Sequence, residues 1–111
     1  MIKLIANAYE VAEREGNAIP CIKPSDSLRM VKGQENKIID REEIVMIQTP
    51  QTFEISQLRK GYQQNYTPKF TDDASVVEAA GFPINLIEGE RKNIKITYPE
   101  DLELANSLLK L

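Results

Sequence analysis

Lys95 is a candidate for binding an anion. It lies between Ile94 and Ile96, so it alternates with apolar residues as in a short strand. If the isoleucines face the core, the ammonium group points the other way, near the strand's C-terminal end. Ligands of open α/β sheets gather beyond such ends, and a lysine there suits a phosphate as a point charge. A solvated surface lysine fits the same spacing.

Two threonines can likewise be interpreted either as structural residues or as ligand contacts. Thr71 is a good N-cap for a predicted helix that reaches Ala80, and helix N-termini also bind phosphate. Asp72 and Asp73 argue against a phosphate there, because they already occupy the positive end of the helix. Thr49 lies in a turn that closes a strand, where hydroxyl groups usually bond their own backbone. Spacing alone leaves both interpretations open for each threonine.

The composition removes several classes of chemistry. The 111 residues contain no histidine, which excludes a Ser-His triad and the usual zinc ligand. Cys21 is the single cysteine, so no internal disulfide can form, and its apolar surroundings predict a buried thiol. No metal site is predicted, because the spacing of the candidate acids matches no calcium loop; they are Asp26, Asp40, Glu42 and Glu43.

Charge and hydropathy argue against nucleic acid and membranes as partners. The net charge of −3 gives no basic stripe of the kind that binds nucleic acid. No apolar run approaches the roughly 20 residues that span a bilayer, and residues 1–5 lack a signal-peptide pattern. We therefore expect a cytoplasmic globular protein that contacts neither membrane nor nucleic acid.

The hydrophobic pattern predicts the order α, β, hairpin, β, α, α, β, β, α, which indicates an α/β layered fold. Helices are expected at 2–15, 54–65, about 71–80 and after Thr97, where Thr97 and Glu100 have capping-box spacing. Strands are expected at 18–22, 44–47, 84–87 and 94–96, and a hairpin with a loop of five residues lies within 26–42. Residues 1–111 form one partial domain whose sheet has an open edge.

Several runs together resemble the bacterial 2-C-methyl-D-erythritol 4-phosphate cytidylyltransferases. They are IQTPQTF at 47–53, FTDDASVVE at 70–78, EGERKNIKIT at 88–97 and PEDL at 99–102. The start and end of the hairpin also match, at DSLR (26–29) and DR (40–41). The resemblance covers essentially the whole chain, with the motifs in the family's order.

The resemblance implies an enzyme that joins CTP to methylerythritol phosphate with Mg²⁺ and releases pyrophosphate, in non-mevalonate isoprenoid biosynthesis. It implies a Rossmann-like nucleotidyltransferase fold with a projecting β-arm that interlocks a homodimer. Only the C-terminal half is matched. The family's Gly-rich triphosphate loop and its metal-binding Asp are not in this sequence, so the nucleotide-binding half is expected to be absent. No catalytic residue is predicted here, and the chain alone is expected to be inactive.

The same resemblance implies roles for five residues. Thr49, Thr71 and Lys95 would line the sugar-phosphate pocket of their own subunit, with Lys95 offsetting the phosphate charge and Thr71 donating a hydrogen bond. Ser27 and Arg41 would reach from the arm into the partner's pocket, and Arg41 would bind phosphate in bidentate fashion. The family commonly has threonine where this chain has Ser27.

Two other functions fit the sequence. A ribitol-5-phosphate cytidylyltransferase shares the TPQTF run at 49–53, although the run at 71–78 argues against it. A non-catalytic dimerisation module is suggested by the open sheet edge and the arm.

Overall fold

The computed structural model describes residues 2–110, which form a small mixed sheet, a separate hairpin, four α-helices and a short 3-10 helix at Arg41–Glu43. The helices are α1 (Ile2–Glu15), α2 (Ile55–Gly61), α3 (Asp73–Ala79) and α4 (Pro99–Leu109). The strands are β1 (Asn17–Ile22), β2 (Leu28–Lys32), β3 (Glu35–Ile39), β4 (Met46–Ile47), β5 (Thr52–Phe53) and β6 (Leu86–Glu88). Within these described residues, no helix has the length and hydropathy needed to cross a bilayer.

Strand β1 is the centre of the sheet. Strand β6 pairs with it in parallel, while β4 and β5 pair with it antiparallel, β4 at its C-terminal end and β5 at its N-terminal end. Between β4 and β5 the register changes by two residues, so residues 49–51 leave the sheet. Pro20, which has no N–H to donate, lies near this interruption, and its carbonyl accepts from Gln48 N at 2.8 Å. The fold thereby frees Thr49 from the strand and directs its segment out of the sheet.

Helix α1 packs on β1 through small residues. Leu4, Ala8 and Ala12 are buried against Ala18 and Ile87, which lie on β1 and β6. The helix was predicted at 2–15, and that prediction is confirmed. Small side chains at these steps let the helix axis lie close to the sheet.

The predicted apolar stripe of α1 is only partly correct. Ile2, Ile5 and Tyr9 recur with Ala8 and Ala12 at steps of three and four, which predicts one apolar face, but they are 85%, 42% and 66% exposed. The helix is apolar on more than one face, and the described sheet covers only the face that carries the alanines.

Helices α2 and α3 pack against each other where Gly61 is buried. A Cβ built on Gly61 would lie 2.9 Å from Val76 Cγ1, which is closer than real contacts. Glycine therefore permits the close approach of the two helices. Helix α2 ends at Gly61, four residues before the predicted end at 65.

Strands β2 and β3 form the projecting arm, with pairing that continues to Lys32 and Glu35. Only Gly33 and Gln34 remain for the turn, so the predicted loop of five residues is wrong. Gly33 has φ +62°, and glycine in the first central position is typical of two-residue hairpin turns. Extra pairing at the tip satisfies backbone groups that a longer loop would leave to water.

The segment between β6 and α4 differs most from its prediction. Residues 94–96 are irregular rather than a strand, because no neighbouring strand pairs with them. The Thr97–Glu100 capping box is also wrong. Instead the Asp101 carboxylate accepts from Thr97 N and Tyr98 N, both at 2.9 Å, and these two hydrogen bonds lower the pKa of Asp101.

Candidate functional site

A cleft of about 500 Å³ brings three predicted binding residues together. Thr49 comes from the interruption between β4 and β5, Thr71 comes just before α3, and Lys95 comes from the irregular segment after β6. Apolar side chains line part of the cleft: Ile22, Met46, Ile47 and Ile94. The other polar residues of its wall are Gln48, Gln51, Asp72, Arg91 and Asn93.

The polar ends of the three predicted side chains are available to a ligand. Thr49, Thr71 and Lys95 are exposed. Among residues 2–110, neither threonine hydroxyl nor the Lys95 ammonium has a hydrogen bond or ion pair to another side chain or to the backbone. Two hydroxyls and one ammonium around a cleft can bind a phosphate by hydrogen bonding and charge.

Thr71 is not the N-cap of α3, contrary to the sequence prediction. Asp72 takes that position, and its Oδ1 accepts from Ser75 N at 2.8 Å. The Ser75 hydroxyl in turn accepts from the backbone N–H groups of Asp72 and Thr71, at 3.2 and 3.0 Å. Because Asp72 and Ser75 form the capping box, the Thr71 hydroxyl is not used to cap the helix.

The Asp72 carboxylate is held by donors on both oxygens. Oδ1 accepts from Ser75 N, and Oδ2 accepts from Gln51 Nε2 at 3.0 Å. Burial by itself raises the pKa of this carboxyl group, but the hydrogen bonds from Ser75 and Gln51 outweigh burial and lower its pKa. Asp72 is therefore ionised at neutral pH, with its lone pairs directed at protein donors.

The second acid beside Thr71 also has a partner. The Tyr62 hydroxyl donates to Asp73 Oδ1. This hydrogen bond is the main cause of the raised pKa of Tyr62, with burial and the negative charges of Asp73 and Asp72 acting in the same direction. Asp72 and Asp73 would repel a phosphate bound near Thr71. This repulsion is weakened, because each carboxylate accepts hydrogen bonds from neighbouring donors.

Arg91 is a second cation of the cleft that the spacing argument did not single out. It lines the cleft with Lys95, and its Nη2 donates to Lys23 O at 3.1 Å. The signal was present in the sequence, because Arg91 lies in the same basic run as Lys95. Together, the two cations exceed the single charge of Asp72, which is the only acid that lines the cleft within residues 2–110.

Gln48 fixes the loop that leads to Lys95. Its Nε2 donates to Glu90 O at 2.8 Å and Asn93 O at 3.1 Å, while its Oε1 accepts from Glu90 N at 3.1 Å. Asn93 Nδ2 donates to Thr49 O. Lys95 thus reaches the cleft from a loop tied to the end of β4, and not from the strand that its alternation predicted.

Ser27 and Arg41 do not line the cleft of their own chain. Both are exposed at the base of the arm, where Arg41 Nη1 donates to Ser25 O at 2.7 Å and so links the two ends of the arm. One chain does not bring them to Thr49, Thr71 and Lys95.

The described residues do not fit a resident metal ion. Within residues 2–110, no three Cys, Asp or Glu side chains lie together as a ligand set.

Comparison with known proteins agrees with the fold. Residues 2–111 match the family described as IspD, 2-C-methyl-D-erythritol 4-phosphate cytidylyltransferase. The chain belongs to this family. A relative of that name from Bacteroides thetaiotaomicron is 44% identical over 108 residues, which are 97% of this chain and 49% of the relative.

Solved structures of the family share the fold. The cytidylyltransferase from Thermus thermophilus matches with a TM-score of 0.81 and 34% identity, over 98% of this chain and 55% of the other. The one from Francisella tularensis matches with a TM-score of 0.83 and 32% identity, over 96% of this chain and 52% of the other. These matches confirm the expected α/β nucleotidyltransferase-like fold. The chain spans about half the length of the curated relatives it matches.

Proposed function

We propose that the complete protein transfers a cytidylyl group from CTP to 2-C-methyl-D-erythritol 4-phosphate, and that this chain supplies the sugar-phosphate side of the site. The observation that supports this most is the cleft in which Thr49, Thr71 and Lys95 meet with free polar groups. These residues come from three separate segments, and each belongs to a run that resembles the family.

The cleft suits the acceptor because the nucleophile is itself an anion. An oxygen of the sugar phosphate attacks the α-phosphorus of CTP, the new P–O bond forms, and the bond to pyrophosphate breaks. Lys95 offsets the acceptor's charge and so reduces its repulsion by the triphosphate, while the Thr71 and Thr49 hydroxyls orient it. These groups bind and orient the acceptor, and groups outside this chain stabilise the charge on the reacting phosphoryl group.

The rest of the active site is supplied by the other half of the enzyme and by the partner subunit. CTP binds to the half of the enzyme that relatives have beyond the matched residues, and this chain alone is inactive. Mg²⁺ is held there as well, since residues 2–110 offer no ligand set of their own. The arm joins two subunits, and its Ser27 and Arg41 enter the partner's cleft, which would explain why they do not line the cleft of their own chain.

Pyrophosphate release by the protein produced from the complete gene tests the proposal. We expect release that depends on both CTP and 2-C-methyl-D-erythritol 4-phosphate. The shared TPQTF run also allows ribitol 5-phosphate as the acceptor. A preference for that acceptor would show that the enzyme is a ribitol-5-phosphate cytidylyltransferase. Lack of release with either acceptor would overturn the proposal and favour a non-catalytic dimerisation module.

A further inference from the structure

Gln51 joins two segments of the cleft that are distant in sequence. Its Nε2 donates to Asp72 Oδ2 at 3.0 Å, and its Oε1 accepts from Ala74 N at 3.0 Å. The amide nitrogen therefore bonds the side chain of the N-cap residue of α3, and the amide oxygen bonds the backbone of the first turn of that helix. Thr49 lies two residues before Gln51, and Thr71 lies directly before Asp72.

We propose that Gln51 is a positioning residue, which holds the Thr71 hydroxyl at the correct distance from Thr49 for one phosphate group to contact both. The inference rests on the proposed function, because it assigns Gln51 to the sugar-phosphate side of that site. Gln51 acts through Asp72 and the start of α3, because one N–H of its amide donates to Asp72 Oδ2 and its amide oxygen accepts from Ala74 N.

The amide is the side chain that this place requires. Asp72 is ionised and needs a donor, while Ala74 N–H needs an acceptor, and a glutamine supplies one of each. A glutamate at position 51 still accepts from Ala74 N but cannot donate to Asp72. Two carboxylates then face each other where a hydrogen bond of 3.0 Å was, so the first turn of α3 is pushed away from residues 49–51.

The geometry also allows the donor and acceptor to be exchanged. In the double variant Gln51→Glu with Asp72→Asn, the new carboxylate accepts from Ala74 N and from the new amide, whose oxygen accepts from Ser75 N. Every hydrogen bond of the original arrangement then has a counterpart, and the net charge of the pair is unchanged. Asparagine also remains a good N-cap for α3.

The test compares the wild type, Gln51→Glu, the double variant and Gln63→Glu in the protein from the complete gene. Gln63 is exposed, lies outside the cleft, and its side chain has no hydrogen bond among residues 2–110, so it controls for the added charge. We expect Gln51→Glu to raise KM for the sugar phosphate by about tenfold and KM for CTP by less than about twofold. The double variant should recover to within about threefold of the wild type.

Binding of inorganic phosphate, followed by NMR chemical shifts, separates this inference from the proposed function. We expect Gln51→Glu to weaken phosphate binding and the double variant to restore it, whichever acceptor the enzyme uses. If the wild type releases no pyrophosphate but phosphate binding follows this order, the proposed function fails and the positioning role stands. If Gln51→Glu binds phosphate as the wild type does, or raises both KM values equally, or is not rescued by Asp72→Asn, the positioning role is overturned.

Discussion

At the scale of single residues, the Asp72 carboxylate couples the cleft to the stability of the fold. Its pKa is lowered from 3.8, because the hydrogen bonds from Ser75 and Gln51 outweigh the effect of burial. A carboxyl group whose pKa is lower in the folded state stabilises the fold above its unfolded pKa. That stabilisation is lost as the pH falls through the lowered value, because the folded state must then take up a proton at a cost.

Asp72→Asn should therefore flatten the acid side of the stability curve. As the pH falls from about 5 towards about 2, we expect the free energy of unfolding to fall less steeply in this variant than in the wild type. Urea unfolding of the protein from the complete gene at a series of pH values measures this. Glu78→Gln, which removes an exposed carboxylate from the same helix, should keep the wild-type slope. Equal slopes for Asp72→Asn and the wild type would contradict the role given to this carboxylate.

The residues of the cleft were not equally predictable. Thr49, Thr71 and Lys95 could be named because each lies in a run whose order and letters resemble the family. The contacts of Gln48 and Gln51 could not be read from the sequence. Their partners lie 42 and 21 residues away, and an amide side chain gives no sign of which distant group it will meet. Only the folded chain shows which residues position the three predicted ones.

At the scale of elements, the start of α3 depends on a capping box that the sequence analysis assigned to the wrong residue. Thr71 and Asp72 are both good N-caps, and propensity does not choose between them. The choice falls to Asp72 because Ser75 lies three residues after it and returns a hydrogen bond to its backbone N–H. Helix α1 was easier to predict, since its apolar positions recur over 14 residues.

Ser75→Ala should test the capping box. The substitution removes the acceptor for the N–H groups of Thr71 and Asp72, and we expect it to lower the free energy of unfolding by about 1 kcal/mol. Chemical denaturation measures the change. Ser107→Ala, at an exposed position of α4, is the matched control and should cost much less. A loss for Ser75→Ala no larger than that of the control would contradict this account of the helix start.

The segment at 94–96 shows what a short alternating pattern cannot predict. Ile94, Lys95 and Ile96 alternate as a strand would, but a strand forms only where a neighbour supplies hydrogen bonds. Residues 48 and 90–93 are instead joined by the Gln48 side chain, and the segment that follows stays irregular. The prediction of a cleft residue at Lys95 did not depend on the element, because it came from the whole run at 88–97.

At the scale of the molecule, residues 2–110 leave several apolar faces without cover. The radius of gyration is 16.1 Å, against roughly 13 Å for a compact domain of this length. The apolar side chains Val31 and Ile38 are 71% and 74% exposed on the arm, and on α4 no residue is buried. Their positions in the paired strands put Val31 and Ile38 on one face of the hairpin. Exposed apolar faces of this kind mark contacts with other protein.

If the arm joins two subunits as proposed, charges on this face should separate them. We expect Val31→Asp together with Ile38→Asp to convert a dimer into a monomer, because two buried carboxylates would face apolar surface. The mass in solution, from light scattering or sedimentation, measures this in the protein from the complete gene. Gln34→Asp adds a charge at the exposed turn and should leave the dimer intact. A wild type that is monomeric, or a double variant that remains dimeric, would contradict the role of the arm.

The most direct test of the proposed sugar-phosphate site is the effect of Lys95→Ala on the two substrates of the complete enzyme. The account predicts that KM for the sugar phosphate rises by about tenfold or more, while KM for CTP changes by less than about twofold, because Lys95 offsets the acceptor's charge. Lys92→Ala removes an exposed lysine that does not line the cleft, and it should change neither value. Equal rises in both KM values, or a rise for CTP alone, would contradict the assignment of this cleft to the acceptor.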